Sequence, residues 1–461
     1  MSENHDYKIL VEAEIKLNDC KTKAFLRLQA NDEGKPLDID LINELIKRVG
    51  ITYGINNNAI EDIVMHPQLE RDFLIAEGKE QINGTDGKIH YYAEDNSAMP
   101  KLLPDGKVDY HDLGIINNVK KGDILAKIVP PKKGINGIDV FGRTIKARDG
   151  KAVLSPIGKN VVLNNDEIVS KIDGQLVWIY GKINVFQVFE VKGDVDYSIG
   201  NIDFVGSVHI RGNVNTGFKI KAKGDIIIDG ILDSSEILCE GNVIVRNGIK
   251  GGGKGLLRCK GNLTTKYIEN CKIEAEGSVY CEAILYSKIS CNRGIYVNGR
   301  HSMITNSVVR TKNEIVANNI GSPMYAPTEI EVGFDPKIKK QITDVKYTIE
   351  ELNEKLLKIN KIINYFRQTL TGNIDEEHKS LYEKTLLTQK TIEEQLDEST
   401  DSLKRLSSEM DISENAKIKV NDTLYQGVKV TIGYSTIFIN QDYHRVILKE
   451  SDNSQIVFFP I

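Results

Sequence analysis

The residues of this 461-residue chain best placed to do chemistry are a few acids, a set of cysteines and one glycine-rich lysine loop. Asp194 and Asp196 alternate along GDVDYS and share one face of a strand there, and Asp225 and Asp229 recur further on. Two carboxylates at catalytic separation would do general acid–base work on a glycan. The competing reading is turn chemistry, because Asp after Gly is a common turn former. Gly248-Ile-Lys-Gly-Gly-Gly-Lys254-Gly255 resembles a phosphate-binding loop. That loop needs Ser or Thr after its lysine to hold magnesium, and a helix to aim amides at phosphate. Gly255 stands there instead and strand-like LLRCK follows, so the stretch reads as an excursion between strands.

Cys239, Cys259 and Cys291 fall in one column of an internal repeat, with Phe204, Ala222 and Ala275. A metal needs ligands converging at set distances. A column of small apolar positions is instead a core ladder, in which free cysteine acts as a small hydrophobe. No CxxC pair occurs among the six cysteines, and reduced thiols are expected. The eight histidines are scattered, without HExxH, and no Gly-x-Ser-x-Gly is present. Lys151 in RDGKA lacks the flanks of a carrier lysine and reads as a surface residue. No catalytic residue, metal or cofactor is therefore expected.

The elements that would position these residues are set by the repeat. The blocks FVGSVHI, AKGDIII, CEGNVIV, CKGNLTT, AEGSVYC, CNRGIYV and TKNEIVA recur every 16 to 20 residues or so between 202 and 317. Ahead of each block centre stands Ile202, Ile220, Ile237, Leu257, Ile273, Ile289 or Val309. After it stand Val208, Ile226, Val243, Leu263, Val279, Ile295 and Ile315, and then Ile210, Ile228, Val245, Thr265, Cys281, Val297 and Ala317. The offsets are even, so each set lies on one face of a strand. A parallel β-helix, whose coils stack ~4.8 Å apart, puts such columns in register. The small residue at the block centre marks a bend or a close approach of backbones.

Around this core the chain divides into five stretches. Residues 1–95 read as an α/β domain. Its strands lie in YKILVEAEIKL and KAFLRLQA, and its helix is capped by Asp38 or Asp40, carries Leu41, Ile42, Leu45 and Ile46, and stops at Gly50. Residues 96–185 are rich in Gly, Pro, Val and Ile and read as a β-rich, barrel-like domain, with VKKGDILA (119–126) as a strand hairpin. Residues 186–333 are the β-helix. In residues 334–412, Asp335-Pro336 starts a helix. The seam Ile342, Val345, Ile349, Leu352, Leu356, Ile359, Ile363, Phe366, Leu370 and its sequel Ile392, Leu396, Leu403, Leu406, Met410 predict an antiparallel coiled-coil hairpin. Residues 413–461 alternate like strands and are expected to cap the last coil, whose open edge would otherwise invite aggregation. The fold class is thus mainly β with α.

Composition narrows the function. The net charge is -5, from 60 basic and 65 acidic residues, with no basic stripe of the kind a nucleic-acid binder displays. No apolar run approaches the ~20 residues that span a bilayer. MSENHDYK lacks the pattern of an export signal, so a cytoplasmic location is expected.

GKVDYHDLGIINNVKKGDILAKIVPPKKGINGIDVFGRTI followed by KGDVDYSIGNIDFVGSVHIRGNV resembles the flagellar assembly protein A (FapA) family, formerly a domain of unknown function. The order of domains is similar as well, down to a Gln-Gly-Val turn at Gln426. The β-helix also resembles that of bactofilin cytoskeletal proteins. The resemblance implies a bacterial cytoplasmic protein of flagellar biogenesis or placement, and it supplies no catalytic residues. A scaffold or localisation factor, in the cytoplasm or at a pole, follows as the leading expectation. Its partners would be proteins, and a homo-oligomer stays open. The expected contact surfaces are Lys132, Lys133, Asn136 and Asp139 in PPKKGINGIDVFG, and Leu370, Asn373 and Asp375 at the hairpin tip. Two rival readings are an enzyme acting on glycans or nucleotides along the β-helix groove and a self-polymerising, bactofilin-like filament.

Overall fold

The computed structural model describes residues 10–92, 101–102, 108–109, 113–300, 302–369, 376–451 and 453–461. They cluster into two compact units, one of residues 1–94, 122–170 and 180–183, the other of residues 95–121, 171–179 and 184–461.

The first unit holds an antiparallel sheet with strands in the order Lys35–Pro36, Leu10–Leu17, Lys23–Ala30, Asp72–Glu77. Two helices, α1 (Ile39–Val49) and α2 (Asn57–Met65), join it in one core with Leu26, Leu28, Ile42, Ile60 and Ile75. Asp38 caps α1 by accepting the Leu41 N–H at 2.8 Å, and Gly50 ends it at φ 84, which glycine adopts without steric cost. A second sheet orders Val161–Asn164, Glu167–Ser170, Ile124–Val129 and Lys88–Tyr91.

The expected hairpin over 119–126 does not form. Asn118–Val119 pairs with Gly174–Gln175, whereas Ile124–Val129 pairs with Glu167–Ser170 and Lys88–Tyr91. The Lys-Lys-Gly turn is present, but each strand finds a longer partner elsewhere. Turn chemistry fixes a reversal of the chain, not the pairing of its arms.

The second unit is built on a β-solenoid of about eight turns over residues 188–332. Its strands pair in parallel, and the columns read from the repeat stack residue on residue. Ile202, Ile220, Ile237, Leu257, Ile273, Ile289 and Val309 are consecutive partners, and the column goes on to Ile330. Val208, Ile226, Val243, Leu263, Val279, Ile295 and Ile315 form the next, which goes on to Ile418. All of these are essentially fully buried. Each such side chain contributes about 1.5–3 kcal/mol by leaving water, so the interior columns dominate stability. One rung escaped the repeat alignment: Val188–Val191 pairs with Ser207–Ile210 as an earlier coil.

At the block centres the backbones touch. The N–H of Gly261 reaches the Gly241 carbonyl at 2.9 Å, and that of Gly277 reaches Gly261 at 3.1 Å. A Cβ on Gly261 would lie 2.6 Å from Asn242 Oδ1 and 2.7 Å from the Gly241 carbonyl oxygen.

Two long helices follow, α3 (Pro336–Thr369) and α4 (Glu376–Ser408). Phe366 meets Tyr382 edge-on at 6.0 Å, and Gln389 donates to Asn360 at 3.0 Å, so the helices run antiparallel. Ile342, Leu352, Ile363 and Phe366 are buried and the other described seam positions of α3 are half-buried. At 34 residues, α3 is roughly 50 Å long.

The chain re-enters the solenoid where it left. The Ser413 N–H donates to the Gly333 carbonyl at 2.8 Å. Lys417–Leu424 then adds in parallel to Glu314–Ile320, and Val428–Ile432 to Thr328–Val332. Only after these rungs do Ser435–Phe438, Tyr443–Glu450 and Ile456–Pro460 turn antiparallel.

Candidate functional site

The acids singled out by spacing are occupied with the backbone. Asp194 Oδ1 accepts the Asn213 N–H at 2.7 Å, and Asn213 Oδ1 accepts that of Ile231 at 2.8 Å. A second ladder climbs the block centres. Ser207 Oγ, Asp225 Oδ1, Asn242 Oδ1 and Asn262 Oδ1 take the N–H of Asp225, Asn242, Asn262 and Ser278 at 3.0, 2.7, 2.9 and 2.8 Å. A third has Ser307 Oγ accepting from Ser287 at 3.0 Å and Ser287 Oγ from Cys271 at 3.2 Å. Each rung satisfies an amide that the bend between strands would leave unpaired.

Asp196 closes its own turn, accepting from the Ser198 hydroxyl at 2.6 Å and the Ser198 N–H at 2.8 Å. Those two bonds hold its carboxyl below the ordinary range. Asp229 sits 3.1 Å from His209 Nε2, 2.8 Å from Arg246 Nε and 3.8 Å from Arg211 Nη1. Partial burial pushes its pKa up, but the His209 bond and the surrounding positive charge outweigh that and leave it lowered. The cluster ties neighbouring coils together on the outer face. The four acids therefore serve ladders, a turn and an ion-pair cluster.

The glycine-rich loop is a pinched bulge in the strand Gly248–Cys259. Register jumps from Lys250 to Gly255, and Gly252 and Gly253 take φ 53 and 79. A Cβ on Gly255 would lie 2.6 Å from Gly251 Cα, so the two arms close on each other. Strand continues on the far side, where a phosphate-binding loop would lead into a helix. The loop is an excursion, as its sequence suggests.

Cys239, Cys259 and Cys291 line the interior column with Ala222 and Ala275. Burial pushes the Cys239 and Cys291 thiols up to about 11 and the Cys259, Cys271 and Cys281 thiols up to about 12. Thiols held in that range are poor nucleophiles and poor metal ligands at neutral pH. Among the described residues no group of three or more His, Cys, Asp or Glu is arranged to hold a metal.

Two clefts open on the second unit. One, of about 470 Å³, has Phe189, Ile202 and Ile220 in its walls. The other, of about 650 Å³, lies between a strand face and the first turns of α3. Its three glutamates are ion-paired: Glu240 with Lys260 at 3.0 Å, Glu274 with Arg258 at 2.8 Å, and Glu276 with Lys337 at 3.0 Å. Lys337 on Glu276, with Lys340 3.9 Å from Glu274, ties the first turns of α3 to the strands.

The expected contact residues separate. Lys132, Lys133 and Asn136 are exposed, and Asn136 Oδ1 also takes the Ala147 N–H at 3.0 Å. Asp139 does not belong with them. It is 6% exposed, and its Oδ1 accepts the N–H of Phe141 at 3.0 Å and of Arg143 at 2.7 Å. It organises a tight turn from inside, as Asp does when its carboxylate bonds the backbone just ahead. Leu370, Asn373 and Asp375 lie outside the described residues.

Sequence reasoning missed one feature of the solenoid, an outward column through Ile227, Ile244, Tyr280, Tyr296 and Val316. It is legible as the odd-numbered offset between two inward columns, where a solvated strand would carry polar residues.

The flagellar assembly protein A β-solenoid domain matches residues 187–456, and the N-terminal region of the same family matches residues 13–181. The chain belongs to the flagellar assembly protein A family. The solenoid-domain match spans the helix pair and most of the terminal strands as well as the solenoid. No curated protein and no solved structure matches the chain. Among the described residues no helix is long and apolar enough to cross a membrane.

Proposed function

We propose that the chain is a non-catalytic scaffold of flagellar assembly, working in the cytoplasm through protein–protein contacts. Membership of the flagellar assembly family supports the process. The observation that carries the scaffold reading is the commitment of Asp194 and Asp225 to backbone amides of the next coil, which takes away the carboxylates a groove enzyme would use. The long polar faces of α3 and α4, and the exposed pair Lys132 and Lys133, suit partner capture. The far end of the helix pair, near Leu370, Asn373 and Asp375, is the second contact surface.

Deletion of the gene in its native host, with complementation, tests the reading. Loss or misplacement of flagella is expected, restored by the full chain and by Asp194→Asn or Asp225→Asn. Restoration is expected to fail when residues 336–408 are replaced by a short linker. Normal flagellation in the deletion strain overturns the flagellar assignment. Failure of a folded Asp194→Asn or Asp225→Asn chain to complement overturns the non-catalytic one.

A further inference from the structure

The outward column of the solenoid runs His209, Ile227, Ile244, Thr264, Tyr280, Tyr296, Val316 through its parallel strands. It continues through Lys419, Ile447 and Phe459 of the terminal strands. Seven of the ten are Ile, Val, Tyr or Phe, so an apolar ridge crosses a face where solvent contact would favour polar residues. Tyr280 and Tyr296 stack at its middle, with ring centroids 5.2 Å apart and planes 12° off parallel. Ile244, Tyr280 and Phe459 are 37%, 41% and 48% exposed.

Ten strands span roughly 43 Å, and five residues across them roughly 16 Å. The face thus offers roughly 700 Å², close to the ~800 Å² each partner contributes to a stable interface. Two chains pack such faces with two-fold symmetry in one of two ways. With the rods parallel, Lys419 would meet its own copy, and the column of Asp225 would meet that of Asp229. The first contact joins like charges, whereas in the second Asp229 is already matched by His209, Arg211 and Arg246. With the rods antiparallel and the axis crossing the tyrosine stack, Tyr280 meets Tyr296 of the second copy and Ile227 meets Ile447. The same operation brings Asp225 opposite Lys449, whose strand pairs Lys449 with Val457 beside Ile447 and Phe459.

We infer that this ridge is the interface of a face-to-face homodimer with antiparallel rods, centred on Tyr280 and Tyr296. The inference stands apart from the flagellar reading, because it rests on the face alone.

Sedimentation of the full chain over a concentration series tests it. A doubled mass is expected, with Tyr280→Asp and Ile227→Asp, whose partner would be Ile447, each raising the dissociation constant at least about tenfold. Both side chains point outward, so circular dichroism of the variants should match that of the parent. Lys449→Glu should weaken the dimer, and adding Asp225→Asn, which keeps the ladder acceptor, should recover part of the loss. A single mass at every concentration overturns the inference, as does a dimer that both aspartate variants leave intact. Lack of recovery in the Lys449→Glu, Asp225→Asn pair overturns the antiparallel arrangement.

Discussion

Asn242 Oδ1 accepts the backbone N–H of Asn262 at 2.9 Å, while its own N–H is held by Asp225 Oδ1 at 2.7 Å. One side chain thus joins three successive coils at a bend where strand pairing is interrupted. Asn242→Ala leaves the Asn262 amide without its acceptor. A loss of about 1–3 kcal/mol is expected, read as a lower urea midpoint at unchanged slope. Asp225→Asn keeps an acceptor oxygen in place and should cost much less.

The glycine column makes a sharper prediction. At Gly261 a methyl group would press on Asn242 Oδ1 and the Gly241 carbonyl at 2.6 and 2.7 Å, and one of those is backbone. Gly261→Ala should destabilise by about 1–3 kcal/mol through overpacking. Gly193 has nothing within 4 Å of the same added atom. Gly193→Ala should stay within about 0.5 kcal/mol of the parent in the same urea titration.

How far the sequence spoke depended on whether the controlling interaction was periodic or particular. Ile220, Ile237 and Leu257 share a chemistry because they share an interior, so the columns were legible in register. Val188–Val191 belongs to the same solenoid but precedes the first complete block, and no column reached back to it. Pairing at Val119 and Ile124 was hidden because a turn does not name its strands' partners. Asp139 looked like an exposed loop acid, and only the three-dimensional turn shows its carboxylate facing inward to two amides. The ladder role of Asn242 and Asn262 was invisible for a different reason. Each follows the glycine at its block centre, but a side chain bonding to the next coil is evident only once the coils are stacked.

The cysteines offer a direct check on the interior. Cys20 is exposed, whereas Cys239, Cys259, Cys271, Cys281 and Cys291 are buried, with thiols pushed up to about 11 or 12. A thiol-reactive dye at neutral pH should label one site quickly in the native protein and six in denaturant, since thiolate and access are both needed. Rapid native labelling of a second site would place a column cysteine outside the core.

Acid sensitivity should track Glu274. Burial tends to raise its pKa, but hydrogen bonds from Arg258 and Lys272 and their charges prevail and lower it below the ordinary 4.5. A carboxyl lowered on folding adds stability above 4.5, and loses it as the pH falls through its folded value. Glu274→Gln should therefore lower the melting temperature at neutral pH and flatten its decline toward acid. An unchanged acid slope would mean that the pairs with Arg258 and Lys272 are too solvated to matter.

The tail strands are expected to be part of the solenoid's structural core. Val430 pairs with Ile330 and is fully buried, while the next residue, Thr431, faces outward beside Glu331 and bonds the Thr436 hydroxyl at 3.0 Å. Val430→Asp places an unpaired carboxylate among Ile330, Val332 and Ile432, at a cost of several kcal/mol. Soluble yield and melting temperature should both fall steeply, because the rung that closes Ile330 and Val332 from water is lost and their strand becomes an open edge. Thr431→Lys, one residue away and on the outer face, should change either measure little. Equal tolerance of the two substitutions would mean that the solenoid ends soundly at Val332 without the tail, and that the strands after the helices are an ornament on it.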